Sequence, residues 1–138
     1  MTILPEDGDE GDSSSGSDFP VVQLHFTGWP DRGVPSDPAL FLNFLHTAMA
    51  VQNAAQQTAA ARGEERTPPL LVHCSAGVGR TGVFILVYAV LTYLPYVSKG
   101  GKHRLRVKET VQHMRTFRRY LVQTIDQVCM CVCVCEGV

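Results

Sequence analysis

The stretch Val72-His73-Cys74-Ser75-Ala76-Gly77-Val78-Gly79-Arg80-Thr81-Gly82 constrains this chain more than any other. An apolar run from Leu70 to Val72 enters it and a strongly apolar pattern from Val83 to Leu94 leaves it, which predicts a tight turn between a strand and a helix. Gly77, Gly79 and Gly82 allow close backbone approach, so successive amide N–H groups can point at one bound oxyanion with the helix N-terminus behind them. Cys74 opens the loop and Arg80 closes it. The Arg80 fork is suited to two oxygens of a phosphoryl group, and Cys74 lies where a sulfur can attack phosphorus.

The same field acts on the thiol. A free cysteine is only a few per cent thiolate at neutral pH, and a helix N-terminus with a nearby cation depresses its pKa. Cys74 is therefore expected to be a thiolate nucleophile at pH 7. A buried structural cysteine beside a glycine-rich turn is the plainer reading, but Cys and Arg flanking Ser-Ala-Gly-Val-Gly form a far more specific pattern than a lone cysteine.

His73-Cys74 through Arg80-Thr81-Gly82 resembles the signature loop of the cysteine-dependent protein tyrosine phosphatases. Trp29-Pro30-Asp31-Arg32-Gly33-Val34-Pro35 resembles that family's mobile acid loop, and Gln123-Thr124-Ile125-Asp126-Gln127 its glutamine loop, in the family's order. The resemblance runs from about Val22 to Gln127. It implies hydrolysis of phosphotyrosine in proteins through a cysteinyl-phosphate intermediate. Cys74 would be the nucleophile, Arg80 and the loop Ser75, Ala76, Gly77, Val78 and Gly79 the phosphate cradle, and Thr81 a donor to the departing thiolate. Asp31 would be the general acid and then base, and Gln123, assisted by Gln127, would position the attacking water. His73 would tune the thiol from behind. No metal or other cofactor is implied, and the partners would be phosphotyrosine-containing proteins. Rival readings are a dual-specificity phosphatase, a non-catalytic phosphotyrosine-binding module, and an inactive fragment or gene-model product. The binding module would need a damaged site, whereas Cys74, Arg80 and Asp31 are all present.

The 138 residues and 45% hydrophobic content suffice for one domain. A formal net charge of -1 conceals an asymmetry: residues 1–18 hold six acidic and no basic side chains, and Lys99 to Arg119 holds eight Lys or Arg and one Glu. The basic region would favour a dianionic phosphate or acidic substrates. Nucleic-acid binding is a poor reading, since no aromatic stripe accompanies the charges. The N-terminus lacks the order of a signal peptide, and Val83 to Val97 is too short and too interrupted to span a bilayer. A cytoplasmic setting follows, including that of the intracellular part of a receptor.

Residues 1–20 read as a disordered acidic and Ser-rich segment. Val21–Phe26 reads as a strand with Val22, Leu24 and Phe26 on one face, and Leu70–His73 as a buried parallel strand. Ser36 is the expected cap of a helix from Asp37 or Pro38, running through the Ala/Gln-rich Gln52–Arg62 into solvent. The helix after Arg80 is apolar on nearly every face, hence central, and Pro95 is expected to stop it. Val107, Val111, Met114 and Phe117 mark an amphipathic helix.

Four of the five cysteines alternate in Cys129-Met130-Cys131-Val132-Cys133-Val134-Cys135. Zinc sites prefer other spacings. Alternating Val and Cys is what a TG repeat encodes, so residues 128–138 are expected to be an aberrant tail, with 21–127 a partial phosphatase catalytic domain incomplete on its N-terminal side. The expected architecture is α/β, three-layer, with a mixed twisted sheet flanked by helices.

Overall fold

The computed structural model describes residues 21–30, 33–97 and 106–136, with side chains described as far as 93 and 134 in the last two segments. The acidic segment 1–20, the residues Asp31 and Arg32, and the loop around Ser98–Lys102 lie outside the described residues. Four helices follow in order: α1 (Pro38–Ala61), α2 (Gly79–Val97), α3 (Val107–Phe117) and α4 (Ile125–Glu136).

Asp37 caps α1, accepting the Ala39 N–H at 2.8 Å with Pro38 in the first turn. The cap thus falls one residue after the expected Ser36, where a carboxylate can reach an unpaired first-turn amide. Phe41, Leu45 and Ala48 form the buried stripe of α1, and the Ala/Gln-rich half continues the helix as expected. Its Gln52 also tethers the following loop by donating to the Pro68 carbonyl at 2.7 Å.

Central among the helices is α2, packed against α1 and α4. Val83, Leu86 and Val87 are fully buried, with Val90 and Leu91 beside them. Ile85 and Ala89 face outward, so the cover is not complete on every side. α2 also continues through Pro95 to Val97. A proline removes one N–H from the ladder, and in a last turn little helix remains to be broken.

In α3, Val111 is buried and Val107 and Met114 are half-buried, but Phe117 is exposed and meets the ring of His113 edge-on at 5.2 Å. The alternating Cys/Val run forms α4, and the boundary expected after Gln127 falls inside it. Its buried residues are Gln127, Met130, Cys131 and Val134, spaced as one helical face rather than as alternate residues. Cys131 consequently points inward while Cys129 and Cys133 are exposed. Among the described residues no group of three or more His, Cys, Asp or Glu is placed to hold a metal ion.

The sheet is where expectation and structure part. Among the described residues there is no strand, only an isolated bridge at Gln23, and Leu70–His73 is irregular. Leu71 is 87% exposed and Val22 50%, whereas Leu24 and Phe26 pack on the core, Phe26 against Phe41 and Phe44 with ring centroids 5.9 and 5.1 Å apart. Strand identity depends on a partner's backbone, and these two segments do not pair with each other. Among the described residues no helix is long and apolar enough to cross a membrane.

Candidate active site

The segment 74–78 turns sharply into α2, with Gly77 at φ +67, a conformation that side chains resist. Its amides converge on the Cys74 sulfur. Burial raises the thiol's pKa, but the Thr81 hydroxyl and the backbone N–H groups of Thr81, Gly77 and Val78 lower it by more, to about 7 from an ordinary 9.0. The Thr81 hydroxyl is fully buried and makes no hydrogen bond of regular geometry. Its nearest role is as an O–H donor towards the sulfur, and of the groups that lower the thiol's pKa it acts most strongly, ahead of each of the three amides. A charged acceptor is the one that this otherwise unsatisfied donor would favour. His73 is exposed and is not among the groups that set the thiol.

Arg80, in the first turn of α2, reaches across the mouth. Its guanidinium donates to the Ser75 hydroxyl at 3.1 Å and, at the long distance of 3.5 Å, to the Trp29 carbonyl. Trp29 is itself fixed: its indole N–H donates to the Gly33 carbonyl at 3.0 Å and its ring meets Phe41 edge-on at 5.0 Å. The arginine therefore joins Trp29 to the Cys74 loop. Asp31 lies outside the described residues, while Pro30 and Gly33 on either side of it line the same cavity.

The glutamines arrive from the far end of the chain. A Cβ on Gly79 would meet Gln123 Oε1 at 2.9 Å and Gln127 Nε2 at 3.1 Å, so both amides lie directly on the start of α2. Gln127 is buried, and its Oε1 accepts the Gln123 backbone N–H at 2.8 Å. A Cβ on Gly82 would stand 2.4 Å from the Val122 nitrogen, which donates to the Val78 carbonyl at 3.1 Å. Only glycine permits that approach.

The resulting cavity, about 360 Å³, brings together Cys74, Ser75, Ala76, Gly79, Arg80, Gln123 and Gln127 with Trp29, Pro30 and Gly33. Gly77, Val78 and Thr81 stand behind, bonded to the sulfur rather than lining the space. Two arginines of the basic region 99–119 also reach the site's backbone. Arg118 donates to the Ala76 carbonyl at 3.3 Å and lies against Gly77. Arg115 donates to the carbonyls of Leu121 and Val122 at 2.9 and 2.7 Å. No sequence signal separates them from their exposed basic neighbours, because their partners are backbone carbonyls that carry no residue identity.

Known proteins resemble this chain both in sequence and in backbone. The family model described as protein-tyrosine phosphatase matches residues 9–136. The chain is 38% identical over 107 residues to the tyrosine-protein phosphatase corkscrew of Drosophila virilis, covering 78% of this chain and 13% of that protein. It is 39% identical over 113 residues to human tyrosine-protein phosphatase non-receptor type 9, covering 80% of this chain and 18% of that protein. Among solved structures, the catalytic domain of human protein tyrosine phosphatase non-receptor type 18 superposes with a TM-score of 0.62 at 34% identity, over 81% of this chain and 36% of that chain. The chain thus spans less than a fifth of these two curated relatives and about a third of that catalytic domain. With sequence and backbone in agreement over four fifths of its length, the chain belongs to the protein-tyrosine phosphatase family.

Proposed function

We propose that this chain hydrolyses phosphotyrosine monoesters in proteins, in a cytoplasmic signalling role. The observation that carries the reading is the Cys74 thiol, its pKa lowered to about 7, in one cavity with Arg80, Gln123 and Gln127. In the first half-reaction the Cys74 thiolate attacks phosphorus, the S–P bond forms, and the phosphorus–phenol oxygen bond breaks. Arg80 and the loop amides hold the equatorial oxygens, and Asp31 gives its proton to the departing phenolate. In the second, water held by Gln123 gives a proton to the Asp31 carboxylate and attacks phosphorus. The S–P bond breaks, phosphate leaves and the thiolate returns. The sheet that the family resemblance implies would take Val21–Phe26 and Leu70–His73 as strands that pair with other segments and not with each other.

The test is phosphate release from a phosphotyrosine peptide by the purified chain, with a phosphoserine peptide alongside. Release from the first alone, abolished in Cys74→Ser, is the expected result; equal release from both would mean dual specificity, and none from either would reject the reading. Asp31→Ala is expected to lower kcat by about 10²–10⁴-fold with a poor leaving group and much less with nitrophenyl phosphate. An equal loss for both esters would remove Asp31 as the acid.

A further inference from the structure

The segment joining α3 to α4 is held in a conformation that its sequence disfavours. Tyr120 and Val122 both have positive φ, 66 and 57, although neither is glycine and Val122 is β-branched. Such a backbone persists only where its surroundings fix it. From below, Val122 is fully buried and its N–H donates to the Val78 carbonyl. From above, Arg115 in the last turn of α3 spans two successive carbonyls, its Nε on Leu121 and its terminal NH2 on Val122. A planar, charged fork fits that pair as an ammonium cannot.

The second carbonyl matters most. Val122 C=O and Gln123 N–H belong to one rigid peptide unit. Arg115 holds its oxygen, while Gln127 Oε1 accepts from its nitrogen at 2.8 Å. The plane that launches the Gln123 side chain into the Cys74 cavity is thus gripped at both edges.

We propose that Arg115 is a positioning residue for the hydrolytic half-reaction, acting through Gln123. The proposal rests on the phosphatase reading above. Its specific consequence is that losing Arg115 slows breakdown of the cysteinyl phosphate and spares its formation.

The experiment is pre-steady-state turnover of nitrophenyl phosphate by the full chain, wild type against Arg115→Met and Arg115→Lys. In Arg115→Met, kcat is expected to fall about tenfold and KM with it, leaving kcat/KM within about twofold, with a burst of one nitrophenol per chain. Arg115→Lys, which can reach one carbonyl and not both, falls between. Adding Arg115→Met to Gln123→Ala should cost nothing further, since both act on one step. Amide hydrogen exchange at Gln123 is expected to quicken at least tenfold in Arg115→Met while the amides of α2 stay protected. Equal losses in kcat and kcat/KM, or a raised KM at constant kcat, would overturn the proposal, the second by making Arg115 a substrate contact. Unchanged exchange at Gln123 would overturn it whatever the kinetics. A wild-type chain that turns over neither nitrophenyl phosphate nor a phosphotyrosine peptide would instead remove the phosphatase reading, and with it the hydrolytic role, while the exchange measurement still decides whether Arg115 holds the loop.

Discussion

At Cys74 the decisive balance is between burial, which raises the thiol's pKa, and four donors that lower it to about 7. A group with that pKa is about half thiolate at pH 7, so alkylation of the Cys74 peptide by iodoacetamide should accelerate with rising pH and level off above a midpoint near 7. Thr81→Val removes the hydroxyl and leaves the amides, so the midpoint should rise towards 9 without reaching it. A midpoint unmoved in that variant would assign the depression to the backbone alone. At Arg80 the contacts to Ser75 and to Trp29 come from two different nitrogens of the fork. Arg80→Lys keeps the charge and should still lower kcat/KM by about 10²-fold or more. That Cys74, its glycine-rich loop and Arg80 would come together was legible in the sequence because their spacing is local. Arg115 and Arg118 were not, since nothing in the order of residues shows which carbonyl a surface arginine will find.

Among the elements, the crossing of α2 over the segment before α4 is the tightest. A methyl at Gly82 would stand 2.4 Å from a backbone nitrogen, which cannot move aside as a flexible side chain would. Gly82→Ala should therefore destabilise the fold by several kcal/mol or shift the 121–123 segment outward. Denaturant unfolding reads the first outcome, and loss of Gln123 amide protection reads the second. Helix existence was legible from periodicity in α1, α2 and α3, and their ends less so: Asp37 caps where Ser36 was expected, and Pro95 is contained rather than terminal. α4 was missed because an alternating Cys/Val run conceals a helical face, Gln127, Met130, Cys131 and Val134, that emerges only when one side meets α2. The strands are a different matter: among the described residues none is formed. Leu71 and Val22 carry the right residue types, yet a strand is a relation between two backbones and cannot be read from one.

At the scale of the molecule, the described residues share a core in which α2 lies against α1 and α4. Met130, from the last helix, is 6% exposed within it. Met130→Ala should lower unfolding free energy by about 2–3 kcal/mol, whereas Cys133→Ala on the exposed face should change it by no more than about 0.5. Equal effects would mean that α4 contributes nothing to the core. The core also fixes an order of events during synthesis. The donors that activate Cys74 all lie in its own loop and the first turn of α2, but Arg118, which braces that loop, comes 42 residues after the Ala76 carbonyl that it holds. Gln123 comes later still. Synthesis therefore makes the groups that lower the thiol's pKa before it makes Arg118 and Gln123. On the reading proposed above, a chain still emerging would carry its nucleophile before it carries the groups that brace the loop and discharge the phosphoryl.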